Sequence, residues 1–245
     1  MKKVSIILGA AIIAAFSVSA DALTLSDIRT SARRHIRDSD SLRVSDSILN
    51  SMANEVQRDM NNSTWAVQTS TAFTLAVGTT YYDLPTDYLT ATRGLFKAQN
   101  GTVTQIREDS EKIIYDGLSD YERSSKGTSP TLYFVRQSTQ SDTVMEIAFL
   151  PVATSTASTG TVRIDYIMQP SDLSADSDVP FEGLRHLYPY HDTLVWGIVF
   201  RVKALQGLVE EANFYGTLYD RGLQSMIDNK DKMPNFRPSV RGIGK

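Results

Sequence analysis

Apolar positions change their spacing twice along this chain, dividing it into a helical stretch, an extended stretch and a second helical stretch. In the first, Ile28, Ala32 and Ile36 fall four residues apart. A helix start is expected at Thr24-Leu25-Ser26-Asp27, where hydroxyls serve as N-cap and Asp27 supplies an acid in the first turn. Arg29, Arg33, Arg34 and Arg37 then lie mostly on the other faces and read as solvated. The polar run 38–41 breaks this helix. Ser45 is the next N-cap, with Val44 and Leu49 placed for a hydrophobic staple. Ile48, Leu49, Met52, Ala53, Val56 and Met60 form one apolar stripe, which ends at the turn-forming Asn61-Asn62-Ser63. Two helices joined by a short polar loop are expected to pack antiparallel.

From Trp65 the period shortens to two. Phe73 and Leu75 alternate with Thr74 and Ala76, a turn follows at Val77-Gly78-Thr79, and Tyr81 to Leu84 is the next extended run. Further strands are expected over 89–96, 103–107, 131–137, 144–150 and 161–168, with a helix over 109–118 and a hairpin tip over 154–160. Several short strands with turn-rich spacers predict a small barrel or sandwich. The helical period returns near Pro180, through Leu184, Leu187 and Tyr188. The run 194–200 is apolar on all sides and predicts a buried helix, too short for a membrane span. Beyond Gly207, residues Leu208, Ala212, Tyr215, Tyr219 and Met226 mark a last amphipathic helix. The fold class is therefore α+β. A helical bundle, made from the N-terminal helix hairpin (24–62) and the C-terminal helices (171–230), carries an inserted antiparallel β barrel or sandwich (63–170). Residues 231–245, basic and rich in proline and glycine, form an extended arm.

Composition narrows the chemistry. Apolar content of 41% and charged content of 22% are those of an ordinary folded protein, and a formal charge of −3 gives no reason to expect a nucleic-acid ligand. The absence of cysteine excludes disulfides, thiol nucleophiles and thiolate metal sites. At the N-terminus, Lys2 and Lys3 precede an uncharged apolar run from Val4 to Val18, followed by the small-residue exits Val18-Ser19-Ala20 and Ala20-Asp21-Ala22. Residues 1–22 thus have the pattern of a secretory leader. Removal after Ala20 takes away two lysines and no acid, moving the charge from −3 to −5.

No nucleophile elbow, phosphate-cradling glycine loop, dinucleotide fingerprint or paired-histidine zinc motif occurs. His35, His186 and His191 read as surface or packing residues, and Asp172, Asp176 and Asp178 as turn and cap acids. Asp116, Asp120 and Glu122 read as a solvated helix end in preference to a glycosidase pair, and the Asn-x-Ser/Thr triplets at Asn61, Asn62 and Asn100 carry little weight. No enzyme activity, cofactor, metal or small-molecule substrate is expected. The tail residues Lys230, Lys232, Arg237, Arg241 and Lys245 beside Phe236 make a cationic strip suited to a groove on another chain.

The segment from Gly78 to Leu89 reads physically as a turn, an edge strand, a corner at Pro85, and a turn at Asp87 that launches the next strand. As Gly-x-x-x-Tyr-x-Leu-Pro-x-Asp-Tyr-Leu, with Tyr82, Leu84, Pro85 and Asp87 as its architectural residues, it resembles a signature of head-to-tail adaptor proteins of tailed bacteriophages. Leu25-x-x-Ile28-Arg29, Ser45-Asp46-x-x-Leu49 and Asn54-Glu55-x-x-Arg58-Asp59 are similar to the two N-terminal helices of that group. Asp178-x-Pro180-Phe181 and Leu187-x-Pro189-Tyr190-His191 are similar to the lead-in to its last helix pair. The resemblance implies a structural protein of the virion neck without an active site, assembled in the host cytoplasm as a ring, commonly of twelve copies. Such a ring sits between the portal protein and the tail or nozzle protein, and DNA passes transiently and without sequence preference through its channel. It further implies portal contact through the arm, here Asn235, Phe236, Arg237, Arg241 and Lys245. The leader supports a different expectation, an exported periplasmic or surface protein whose β-rich domain binds a ligand or partner. A third, a secreted hydrolase using Asp116 with Asp120 or Glu122, has only those acids behind it.

Overall fold

The computed structural model describes residues 22–38, 43–109, 129–139, 143–153 and 160–229. The architecture is α+β, with four helices and a nearly closed seven-stranded mixed sheet. The helices are α1 (Leu25–Ile36), α2 (Asp46–Thr64), α3 (His191–Leu205) and α4 (Val209–Asn229). The strands are β1 (Gln68–Thr74), β2 (Tyr81–Asp83), β3 (Tyr88–Ala98), β4 (Val103–Glu108), β5 (Leu132–Gln137), β6 (Met145–Leu150) and β7 (Gly160–Met168). Every expected strand is present. The helix expected over 109–118, most of the hairpin tip, the leader up to residue 21 and the arm lie outside the described residues.

Local chemistry sets the helix ends. Thr24 caps α1 in a reciprocal capping box with Asp27, and Arg37 closes it in the left-handed conformation at φ 63°. Ser45 caps α2 through Ile48 N–H. That helix runs past the expected stop to Thr64, because Asn61 turns inward to buried partners instead of making a turn. Ile48, placed on the apolar stripe by its spacing, is 46% exposed. Both α1 and α2 lean more on α3 than on each other. Helix α3 contributes Leu194, Val195, Ile198, Val199 and Val202 to the helical core, against Ile28 and Ala32 of α1 and Ala53 and Val56 of α2. A Cβ on Gly197 would lie 2.6 Å from Val56 Cγ1 and 3.0 Å from the Tyr219 ring, so both α2 and α4 approach α3 closely at this glycine.

The strand order is β1-β7-β3-β4-β5-β6-β2. All neighbours are antiparallel except β4 and β5, which run parallel with Arg107 opposite Leu132 and Glu108 opposite Tyr133. The expectation of a purely antiparallel barrel or sandwich is corrected accordingly. Alternation of side chains reports which face is buried and not which way the next strand runs, and residues 109–131 are long enough for the crossover a parallel pair requires. A two-sheet sandwich is also replaced by one curled sheet. Its first and last strands share a core, where the rings of Phe73 (β1) and Tyr82 (β2) sit 5.9 Å apart and both approach Phe149. The pairing of β3 with β7 is irregular, with register shifts between Tyr88 and Thr90 and between Ala91 and Arg93. Inside lie Phe96, Ile106, Tyr133, Ile147, Val162 and Ile164.

Candidate functional site

Segments that the sequence reading grouped in order meet in space at one joint between the helices and the exit from β7. Three amides on α2, at positions 54, 57 and 61, fall on one helical face beside the apolar stripe. Asn54 Nδ2 donates to Leu173 O at 3.2 Å and its Oδ1 accepts from Leu173 N at 2.7 Å. Gln57 donates to Ser171 O at 3.0 Å and accepts from Phe181 N at 2.8 Å. Asn61 donates to Met168 O and accepts from Val67 N, both at 2.9 Å. Each amide therefore satisfies one backbone donor and one backbone acceptor that the irregular segments flanking β1 and β7 leave over. The accepted N–H of Phe181 belongs to a left-handed turn, Phe181–Gly183, with φ near 55–64° at all three residues. Burial of the Phe181 side chain and the Gln57 bond hold that uncommon conformation in place.

Charge reinforces the same joint. Leu25 N donates to Asp178 O and Ser26 N to Asp176 O, so the free amides at the start of α1 are taken by the loop 176–178. Arg29 pairs with Asp176 and Asp46, Arg58 with Asp172, and Arg201 with Asp59. Arg33, 9% exposed, joins the buried Asp38 at 3.2 Å and Asp46 at 2.7 Å. The Arg33 bond holds the Asp46 carboxyl below its usual range. The reading of a solvated arginine face thus fails for Arg29 and Arg33 and holds for the exposed Arg34 and Arg37. Asp178 accepts from the backbone of Ser174 and Ala175, which lowers its carboxyl as well. Each of the three loop acids is occupied in this way, and no metal-holding group of His, Cys, Asp and Glu occurs among the described residues.

His191 closes the joint from the α3 side. The ring is 1% exposed, lies against the rings of Phe181 and Tyr188, and accepts at Nδ1 from Leu23 N at 3.1 Å. That bond assigns the proton of the neutral ring to Nε2, which has no partner among the described residues. Burial alone pushes His191 down to about 4. His35 packs edge-on against Trp196 and Tyr215, and His186 is half-buried and lowered by burial. All three histidines are packing residues.

The Gly78–Arg93 corner sits in the β sheet. Tyr82 lies in β2 opposite Ile147, and its hydroxyl accepts from Ala76 N at 3.0 Å. Leu84 is buried and donates its N–H to Met145 O, and Pro85 O accepts from Tyr88 N. Asp87 accepts from the Tyr166 hydroxyl at 3.0 Å, while its carbonyl accepts from Gln169 N. The corner therefore separates two strands that pair with different partners: β2 ends the sheet against β6, and β3 lies between β7 and β4. Nearby, burial and carboxylate neighbours push the phenols of Tyr88, Tyr133 and Tyr166 above the ordinary tyrosine range, so all stay protonated at neutral pH. The arm residues Asn235, Phe236, Arg237, Arg241 and Lys245, and the acids Asp116, Asp120 and Glu122, lie outside the described residues.

Sequence reasoning missed the amide ladder of Asn54, Gln57 and Asn61. Its signal was present as a second stripe, offset by one residue from Ala53, Val56 and Met60 and sharing their period. The aspartate loop and the α1 arginines were likewise visible separately but not as partners.

No curated protein matches the chain. A family model described as SU10 adaptor protein matches residues 23–241, from the residue whose amide meets His191 to well beyond the last described helix. The ordered series from Leu25 to His191, the joint its two ends form, and a match over nearly the whole chain place this protein in the SU10 adaptor family, among the head-to-tail adaptors of tailed bacteriophages.

Proposed function

We propose that the chain forms a twelve-membered ring in the phage neck, joining the portal protein to the tail or nozzle protein and letting DNA pass. The carrying observation is the family match over residues 23–241, which runs on into the basic arm and includes Asn235, Phe236, Arg237 and Arg241. In this reading the arm, with Lys245 at its end, lies on the portal, and assembly takes place in the host cytoplasm. Tyr82, Leu84, Pro85 and Asp87 shape the corner of the β module. Contacts with DNA are transient and blind to sequence, and the net acidic chain limits sticking. The role is structural and needs no catalytic residue or cofactor.

Electron microscopy of the full chain mixed with portal tests this reading: a closed ring seated on the portal is expected, and a monomer that ignores portal refutes it. Deleting residues 235–245 should weaken portal attachment while leaving the circular dichroism spectrum unchanged. Undiminished docking of the truncated chain refutes the role of the arm. The leader pattern favours a second reading, an exported periplasmic or surface binding protein, which predicts the chain in the periplasmic or culture fraction of producing cells and no affinity for portal.

A further inference from the structure

We infer that the helices carry both halves of a contact between copies of this chain: the outward face of α4, with the α3–α4 turn, on one copy, and the corner between α1 and α2 on the next. This rests on the ring reading above for closure and names the surfaces by which neighbours meet.

Apolar exposure marks both places. Leu205 is 77% exposed, Val209 64% and Phe214 59%, with Leu208 also exposed, so the α3–α4 turn and the first turns of α4 present large apolar side chains to water. Among the described residues, the other exposed large apolar side chain of the helices is Ile48, at the start of α2.

Charge matches the two places to each other. Glu210 shares the outward face of α4 with Phe214, four residues on, and the exposed Asp220 and Asp228 continue it against one exposed base, Arg221. Neither Glu210 nor Asp220 forms an ion pair among the described residues. Glu211 is excluded from this face, because Lys203 takes it at 2.8 Å and Arg37 lies near it in the same chain. At the α1–α2 corner the sign is reversed. Arg29 and Arg33 are paired within the chain with Asp38, Asp46 and Asp176. Arg34 and Arg43 are exposed and form no ion pair among the described residues. One patch is therefore apolar and acidic, and the other apolar and basic.

Helices α1 and α4 each pack mainly against α3, so their outward faces look to different sides of the bundle. Two unlike patches on different sides of one chain make a head-to-tail contact, the kind that repeats and closes into a ring. Meeting through unlike patches also lets copies of a chain with formal charge −3 approach without setting acid against acid.

The test reverses charge at each patch of the full chain: Arg34→Glu with Arg43→Glu in one variant, and Glu210→Arg with Asp220→Arg in a second. All four positions are exposed, and circular dichroism checks that both variants fold. Association is read by sedimentation velocity of the chain alone and by counting the copies seated on portal in electron microscopy. The parent should form multimers in at least one of these settings. Each variant alone should lose them, since acid then faces acid or base faces base. An equimolar mixture should regain them, because alternating the two variants restores opposite signs at every contact of a ring with an even number of copies. A parent that is monomeric in both settings, variants that assemble as the parent does, or a mixture that stays monomeric overturns the inference. Variants that self-associate normally but no longer bind portal assign the patches to portal and overturn it too. Multimers of the parent without affinity for portal defeat the adaptor reading and leave this contact standing, so the two failures are told apart.

Discussion

Acidification should loosen this protein through His191 in a way that can be isolated from its carboxylates. Below its ordinary value of 6.5 the imidazole of an unfolded chain takes a proton, whereas the buried ring resists until about 4. The unfolded state therefore binds more protons across that interval, and stability falls as pH drops from about 6.5 to about 4 and levels off below. At about 1.4 kcal/mol per pH unit, the interval amounts to about 3 kcal/mol. Geometry accounts for such a size independently. The proton must go to Nδ1, the atom that accepts from Leu23 N, so charging the ring also removes a hydrogen bond whose loss costs about 1–3 kcal/mol. His191→Asn keeps an acceptor near the Nδ1 position and cannot titrate. Urea unfolding of the parent and the variant should be followed between pH 8 and pH 4. A roughly constant offset of about 1–3 kcal/mol is expected above pH 7, from the lost ring contacts with Phe181 and Tyr188. Towards pH 4 the offset should shrink or reverse by about 3 kcal/mol. Titration of His186 and the acids is common to both proteins and cancels. Parallel stability curves over the whole range would refute the assignment of a neutral, bond-accepting His191.

Two further perturbations probe the packing. Asn61→Leu removes the bonds to Met168 O and Val67 N together and should destabilise by about 2–4 kcal/mol in chemical denaturation, whereas Asn62→Leu at the exposed neighbouring position should stay within about 0.5 kcal/mol. Equal effects at the two positions would remove the amide ladder from the account. Gly197→Ala should destabilise by about 1–3 kcal/mol although alanine is the better helix former, because its methyl meets Val56 Cγ1 at 2.6 Å. Adding Val56→Ala should return part of that loss, and a strictly additive double-mutant cycle would contradict the close approach of α2 and α3.

Much of the fold was legible because half-buried elements display their period directly. All seven strands and four helices follow from spacing, and the caps at Thr24 and Ser45 follow from hydroxyls ahead of an apolar stripe. What escaped depends on partners distant in sequence. Asn61-Asn62-Ser63 reads as a turn locally, yet tertiary bonds to Met168 and Val67 carry the helix through it. Arg33 counts as a solvated position by periodicity, and only the fold brings Asp38 and Asp46 around it. The parallel step between β4 and β5 leaves no trace in alternation. Of the candidate site, the Tyr82–Asp87 corner was legible as local turn chemistry, whereas its separation of strands with different partners was not.

The amide ladder also orders events in time. Asn54, Gln57 and Asn61 bond to residues more than a hundred positions later, and α1 and α2 find their main apolar surface on α3. As the chain emerges during synthesis, these helices come first and yet have nothing to bury against, while every strand of the sheet finds its neighbours between residues 68 and 168. The sheet can therefore be completed before α3 exists, and its completion brings the end of α2 and the exit of β7 side by side, shortening the loop that the ladder must close. The sheet thus lies in sequence between two helical segments that the amide ladder rejoins in the fold.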